Sequence, residues 1–408
     1  MVTPETYRPT VAKVPTDWPS PPENMTVTAF EEINTCPRRW ALSKASYSDV
    51  WQGQGYPPKL QVHAVKGSAV HMAVETITKK LILAGCPSVQ DPRATGVLKE
   101  LGGYSKIVTD CVQRVLKRFS DNPRSARAMD SAERTLRGQT PDLRMRVQSI
   151  LARLRLPPPP ELLPRSDAAP AKSRRPLTVG VYPEVELHAP RIRWKGKVDL
   201  LVITDETCDI IDFKTGAPDE AHGFQVQIYA LLWSLDGELN PTHRLADRLL
   251  LAYSTGDVEV CALNEDELRV FEKDILKGRE DADAALATQP PEARPTPESC
   301  RYCAVRHLCG EYWSRDNRMN RPGLEAPFSD AQLRILRRHG ATSFDAVVES
   351  AADNTTGKPA LLRTQESWQL EPGKSFRVLD AGIAVDTDDV AQPVIVTLAM
   401  FSEIYEVV

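Results

Sequence analysis

Between residues 178 and 214 apolar and polar positions alternate as they do in half-buried strands. Val198, Leu200 and Val202 form one apolar run, Ile210, Ile211 and Phe213 a second, and Thr204-Asp205-Glu206-Thr207 gives a polar turn between them. The pattern predicts strands over 178–189, 191–204 and 208–214, a helix over about 218–235, and strands near 247–254 and 257–262. Asn264 with Glu267 reads as a capping-box start for a helix through about 288. Upstream, Val70, Val74, Ile77 and Leu81 recur at helical spacing, which predicts a helix over 66–84 with His71 beside its apolar stripe. A short helix capped at Thr28 carries Phe30, Ile33 and Cys36, and further helices run from about 93 to 155 with breaks near Asn122-Pro123 and Thr140-Pro141. Strands joined by a crossover helix imply an α/β core.

The flanks read differently. Residues 1–23 are Pro-rich without an apolar run and are expected to be a flexible leader. The stretch at 156–176, with four consecutive prolines, holds neither helix nor central strand and reads as a loop. Beyond Pro322, SDAQLRILRRHGATSFDAVVESA predicts two short helices, and residues 359–408 predict several strands. A small α+β appendage over 320–408 results, for which an OB-like barrel is one form.

Composition changes the picture in two respects. The chain has 408 residues, 41% hydrophobic and 26% charged, as in ordinary globular proteins, and no apolar run approaches the ~20 residues that span a bilayer. The net charge of −4 disfavours a wholly basic nucleic-acid binder, yet residues 101–180 hold sixteen Lys/Arg against seven Asp/Glu. That local excess, with Arg144, Arg146, Arg153 and Arg155 within it, suits a phosphate backbone. Eight cysteines in a chain of this length do not form a disulfide scaffold, so a reducing, cytoplasmic setting is expected. Cys86, Cys111, Cys208 and Cys261 stand alone among apolar neighbours and read as small core residues.

The candidate chemistry sits on the hairpin. Asp199 in GKVDLL and Asp212 in IIDFKTG would meet at one sheet edge and offer hard oxygen ligands to a divalent cation. Lys214, two residues after Asp212, points to the same face. Two carboxylates and an ammonium suit metal-assisted phosphodiester hydrolysis. Taken singly, an aspartate at a strand end is usually a turn residue and a lone histidine usually structural. The combination, in order and on the right elements, carries the signal. Glu184 and Glu186 lie on the preceding strand, where one could assist the metal.

GKVDLL, DFKTG and the following QVQIY resemble the PD-(D/E)XK nucleases, specifically the RecB-type branch, over roughly residues 24–315. The resemblance implies a restriction-endonuclease-like mixed sheet flanked by helices, with a basic helical insertion at about 93–155. It implies Mg²⁺ or Mn²⁺ bound by Asp199, Asp212, the Phe213 carbonyl and His71, which follows Gly67 in KGSAVHMAVE. It also implies that Lys214 orients or deprotonates the attacking water, and that Gln225 and Tyr229, one helical turn apart, support the site. Cys300, Cys303 and Cys309 form C-x2-C-x5-C, with Cys36 far upstream in NTCPRRW. This split resembles the iron–sulfur form of the fold in AddB-type helicase-nuclease subunits and four-cysteine CRISPR-associated nucleases, and implies a 4Fe–4S cluster; zinc is the other thiolate-bound possibility.

The expected activity is that of a metal-dependent deoxyribonuclease, an exonuclease acting on DNA ends or single strands in repair, recombination, phage replication or CRISPR-like processing. No G-x4-G-K-[ST] motif is present, so a helicase would be a separate partner. The rival expectations are a non-catalytic nucleic-acid-binding or scaffolding module that keeps the fold and cluster, and a sequence-specific endonuclease that reads bases through the appendage.

Overall fold

A computed structural model describes residues 6–48, 50–51, 55–157, 174–314, 328–352, 355–385 and 392–408. Most of the Pro-rich loop, and the junction at 315–327, lie outside the described residues. The chain starts with two short strands, β1 (Thr6–Tyr7) and β2 (Thr10–Ala12). Helix α1 (Val27–Thr35) is capped by Thr26 rather than Thr28: the Thr26 hydroxyl accepts from the Ala29 N–H at 3.2 Å. Cys36 separates it from α2 (Pro37–Lys44), which opens on a proline, as helices tolerate at that position.

The long α3 (Val62–Leu83) and the shorter α4 (Ala94–Glu100), α5 (Gly103–Lys117), α6 (Met129–Gly138) and α7 (Thr140–Arg153) form one helical layer. Next come β3 (Gly180–Ala189), β4 (Trp194–Ile203), β5 (Cys208–Lys214), α8 (Glu220–Leu235), β6 (Arg248–Tyr253), β7 (Gly256–Val260) and α9 (Glu265–Ala287). The Asn264–Glu267 capping box that starts α9 forms in both directions.

The five strands lie in the order β3-β4-β5-β6-β7, antiparallel except for the parallel pair β5–β6 that α8 connects. Each face buries its own core. Leu201, Ile203 and Ile210 pack with α1, α8 and α9, whereas Leu200, Val202, Ile211 and Phe213 pack with α3, α5 and α7. The continuous apolar runs of β4 and β5 thus reflect a sheet covered on both sides. It is a mixed α/β fold.

After α10 (Pro297–Arg301) and α11 (Gly310–Trp313), the C-terminal part departs from the sequence expectation. Residues expected as two helices are β8 (Ser329–Gly340) and β9 (Ser343–Ala351). Ala331, Leu333 and Ile335, then Phe344, Ala346 and Val348, are buried at a spacing of two, while Leu336, which suggested a helical stripe, is exposed. With β10 (Pro359–Arg363), β11 (Ser367–Trp368), β12 (Ser375–Ala384), β13 (Val394–Thr397) and β14 (Glu403–Val407) they make an all-β unit. Strands β8, β9, β10, β13 and β12 pair in turn, and β12 returns to β8, which closes a ring.

The leader also differs from its expectation over the residues described. Strand β2 pairs in parallel with β14, and β1 with β11, so the start of the chain belongs to the C-terminal unit. Among the described residues no helix is long and apolar enough to cross a membrane.

Candidate metal centre

The end of the sheet nearest α3 and α8 gathers the chemistry. The β4–β5 ladder stops at Leu200↔Ile211; carried one step further, the register sets Asp199 opposite Asp212. There the Phe213 N–H is taken by the Asp199 carboxylate at 2.7 Å, and His71 from α3 reaches the same Oδ2 at 2.6 Å. Asp212 is 3% exposed. Lys214 is ion-paired with its Oδ2 at 2.9 Å, and among the described residues no other group donates to that oxygen. A buried carboxylate oxygen with an unused lone pair is an acceptor waiting for a cation.

Helix α8 completes the set from the other face. Lys214 donates to Gln225 Oε1 at 2.5 Å, and Gln225 Nε2 donates to the Tyr229 hydroxyl at 2.7 Å while lying 3.5 Å from Asp212 Oδ1. Close packing makes this possible. A Cβ on Gly196 would stand 2.8 Å from Leu232 Cδ1 and 2.9 Å from the Tyr229 ring, so α8 rests directly on the backbone of β4. Gly67, one turn before His71, plays a related part: a Cβ there would stand 3.0 Å from the Thr215 hydroxyl.

The electrostatics fit a cation site. Burial, then the neighbouring Asp199, push the Asp212 carboxyl up to about 6 despite Lys214 and His71. Burial opposes charge on His71, but the hydrogen bond and charge of Asp199, with help from Asp212, raise its pKa. Burial and Asp212 raise the Tyr229 phenol, which keeps its proton at neutral pH.

Glu184, which the sequence placed near the site without a firm role, joins it. The β3–β4 pairing skips from Pro183↔Leu200 to Val185↔Val198, so Glu184 faces Asp199 across the strands. Its φ of 60° is a left-handed conformation uncommon for a non-glycine residue. Ligand atoms of His71, Glu184 and Asp199 lie within 4.8 Å of one another. Glu184 also forms an ion pair with Lys197.

A scan against family models matches the PD-(D/E)XK nuclease superfamily over residues 24–310. The chain belongs to the PD-(D/E)XK nuclease superfamily. Metal-dependent nuclease chemistry on a nucleic acid is what that membership carries. No curated protein matches the chain. One solved structure that is similar in part, titled "Crystal structure of SSO0001", has 21% identity and a TM-score of 0.21; the match covers 32% of this chain and 60% of that one.

The thiols occupy a second region. Cys36 sits between α1 and α2, Cys300 in α10, Cys303 in the loop after it, and Cys309 just before α11. They sense one another: the charge of Cys36 acts on Cys300 and Cys303, and that of Cys303 on Cys309. Burial pushes the Cys303 thiol up to about 11 and that of Cys309 up to about 12. Among the described residues no three of these sulfurs lie within 4.8 Å of each other. In the motif around Cys36, Arg38 is committed inward, forming a bidentate pair with Glu311 at 2.9 and 3.0 Å, and Trp40 is buried.

The basic insertion is likewise partly committed. Arg146 bonds Asp142 at 3.0 Å and the Thr215 carbonyl at 3.1 Å beside Lys214. Arg153 pairs with Asp257 and the Tyr253 carbonyl, and Arg155 donates to Gln90 and to the Ala152 and Leu154 carbonyls. Three of the four arginines singled out thus have intramolecular partners, and Arg144 and Arg155 stay exposed.

Proposed function

We propose that this protein is a RecB-type deoxyribonuclease, an exonuclease that hydrolyses DNA from ends or in single strands using Mg²⁺ or Mn²⁺. In this reading residues 24–315 form the nuclease domain and 320–408 an appendage, whose closed ring of strands we read as an OB-like barrel. The observation that carries the proposal is the buried Asp212 carboxylate gathered with Asp199, His71 and Lys214 at one point of the sheet.

Asp199, Asp212, His71 and the Phe213 carbonyl would hold the metal, with Glu184 at its edge. A bound divalent ion polarises the scissile phosphate and lowers the pKa of water. Lys214, held by Asp212 and Gln225, aims its ammonium where negative charge develops on the phosphate oxygens. Tyr229 fixes the Gln225 amide, and so the direction of Lys214.

Cys36, Cys300, Cys303 and Cys309 hold a 4Fe–4S cluster in this proposal, and a helicase or recombination protein is a separate partner. The support for this reading is the all-thiol set itself, with its split of one distant cysteine and C-x2-C-x5-C; zinc is the other thiolate-bound possibility. The decisive experiment on the nuclease digests end-labelled single- and double-stranded DNA with Mg²⁺ or Mn²⁺. Wild-type protein should shorten the labelled strand, and Asp212→Ala should reduce cleavage to background while still binding DNA. Full cleavage by that variant sinks the site assignment.

A further inference from the structure

A cleft of about 770 Å³ opens beside the metal centre. Its walls include Thr26 and Thr28 at the start of α1, Gly196 and Tyr229 at its floor, and Lys195 and Lys197 along β4; Glu23, Glu186 and His188 also line it. Its origin lies in strand pairing. The Met25 segment bridges β4 at Trp194, with the Lys195 N–H donating to the Met25 carbonyl at 2.9 Å. Strand β5 joins β4 only from Leu200 onward. From Gly196 to Asp199 this edge of β4 has no strand partner among the described residues. The cleft occupies that gap.

The residues along the gap have a regular polarity. Lys195, Lys197 and Asp199 alternate on one face of β4, and the rise of a strand spaces such positions by about 6.7 Å. Two cations that far apart on one face can meet neighbouring phosphates of a single strand. A cleft of this size encloses a ligand of drug-like dimensions, about one or two nucleotides, and leaves no room for a duplex. Lys195 is exposed and has no carboxylate partner among the described residues. Lys197, half exposed, is paired only with Glu184 of the metal-side cluster.

We propose that this cleft is the subsite for the single strand next to the scissile bond, with Lys195 and Lys197 as its phosphate-positioning residues. The inference rests on the nuclease reading above and adds the path of the substrate. Lys197 exchanges its Glu184 partner for a phosphate, which frees Glu184 to face the metal. Strand entry and completion of the metal site are then coupled through one ion pair. Glu186 stands directly opposite Lys197 in the β3–β4 ladder and Glu23 lines the same cleft, so Lys195, away from both, meets a phosphate with the least opposing charge.

The test measures anisotropy of a fluorescein-labelled oligothymidylate with Ca²⁺ replacing Mg²⁺, for the wild type and for Lys195→Ala, Lys197→Ala and Lys197→Arg. Each alanine variant should bind several-fold more weakly, with the salt dependence of log K lowered by about 0.7 per lost contact on a single strand. Lys197→Arg should restore binding, and in Mg²⁺ the alanine variants should raise KM more than they lower kcat. A duplex of the same length should compete poorly. Unchanged affinity and salt slope in both alanine variants, or equal competition by duplex, overturns the inference while wild-type cleavage leaves the nuclease reading in place. Absence of cleavage by the wild type, with lysine-dependent strand binding intact, has the opposite meaning.

Discussion

At the scale of single residues the metal centre is a place where stability is given up. The carboxyl of Asp212 is pushed up to about 6, because burial and Asp199 outweigh Lys214 and His71. Between its unfolded value near ~3.9 and 6 the native state holds the extra proton, so apo-protein stability falls as pH rises through that window. Above pH 6 the full cost is present. Each pH unit separating the native and unfolded pKa is worth ~1.36 kcal/mol, so Asp212→Asn should stabilise the metal-free protein at pH 7 by about 1–3 kcal/mol while abolishing cleavage. Thermal melts with and without Mn²⁺ check both halves. An unchanged or lower apo melting temperature contradicts this account. In the wild type, metal must displace that proton, so Mn²⁺ affinity should weaken progressively below pH 6 and level off above pH 7. Calorimetric titration across that range measures it. The meeting of Asp199, Asp212 and Lys214 was legible in the sequence because the hairpin's turn and two-residue alternation fix which positions come together. The sequence offered Glu184 and Glu186 alike for the metal and could not choose between them, since the choice depends on a left-handed backbone and on cross-strand register, neither of which leaves a local signature.

At the scale of elements the question is what keeps α8 against β4. Gly196 is the contact point, and Gly196→Ala would drive a methyl into Leu232 and the Tyr229 ring. Overpacking of this kind costs about 1–3 kcal/mol, but the larger effect should be functional. Displacing Tyr229 moves Gln225, which holds Lys214, so kcat should drop further than the affinity for DNA. Loss of both in equal measure would place the glycine in general stability instead. The strands and helices of this core were readable because local spacing and sheet burial agree. The β8–β9 hairpin was misread because Leu333 and Leu336 suggest a helical turn, and only barrel closure shows that Leu333 is inside and Leu336 outside. The intramolecular partners of three of the basic arginines, Thr215, Asp257 and Gln90, had no local signature because they lie 65 or more residues away in sequence.

At the scale of the whole molecule the cysteine segment is also the socket for the barrel. Arg306, between Cys303 and Cys309, binds fully buried Asp330 at 2.6 and 3.1 Å and Asp380 at 2.8 Å. Its neighbour His307 stacks on Tyr405 with ring centres 3.8 Å apart. From the helical layer, Arg124 pairs with Glu403 and Arg127 with Glu366. Arg306→Ala leaves Asp330 buried with Tyr312 and the Asp380 N–H as its other donors, and should cost about 3–5 kcal/mol. Urea unfolding should then show the barrel losing its structure before the nuclease core, with a single shared transition in the variant contradicting this role of Arg306. In the proposed cluster, Cys303→Ala should lose about four irons per chain and loosen the same junction. Colourless protein with one zinc would retain the nuclease reading and discard the cluster.

The pairing of Thr10 with Tyr405 has a consequence for synthesis. The partner strand leaves the ribosome about 395 residues after the first one, which at ~5–20 residues per second is about 20–80 s. For all that time β2 is an open edge, and the nuclease core between the two ends can fold before the barrel can. The lysine at 13 and prolines at 9 and 15 flank that waiting strand with the residue types that discourage edge-to-edge pairing. Strand β2 thus acts as a late-closing seam: a nascent chain can fold its nuclease core early, and only the arrival of β14 gives that strand its partner.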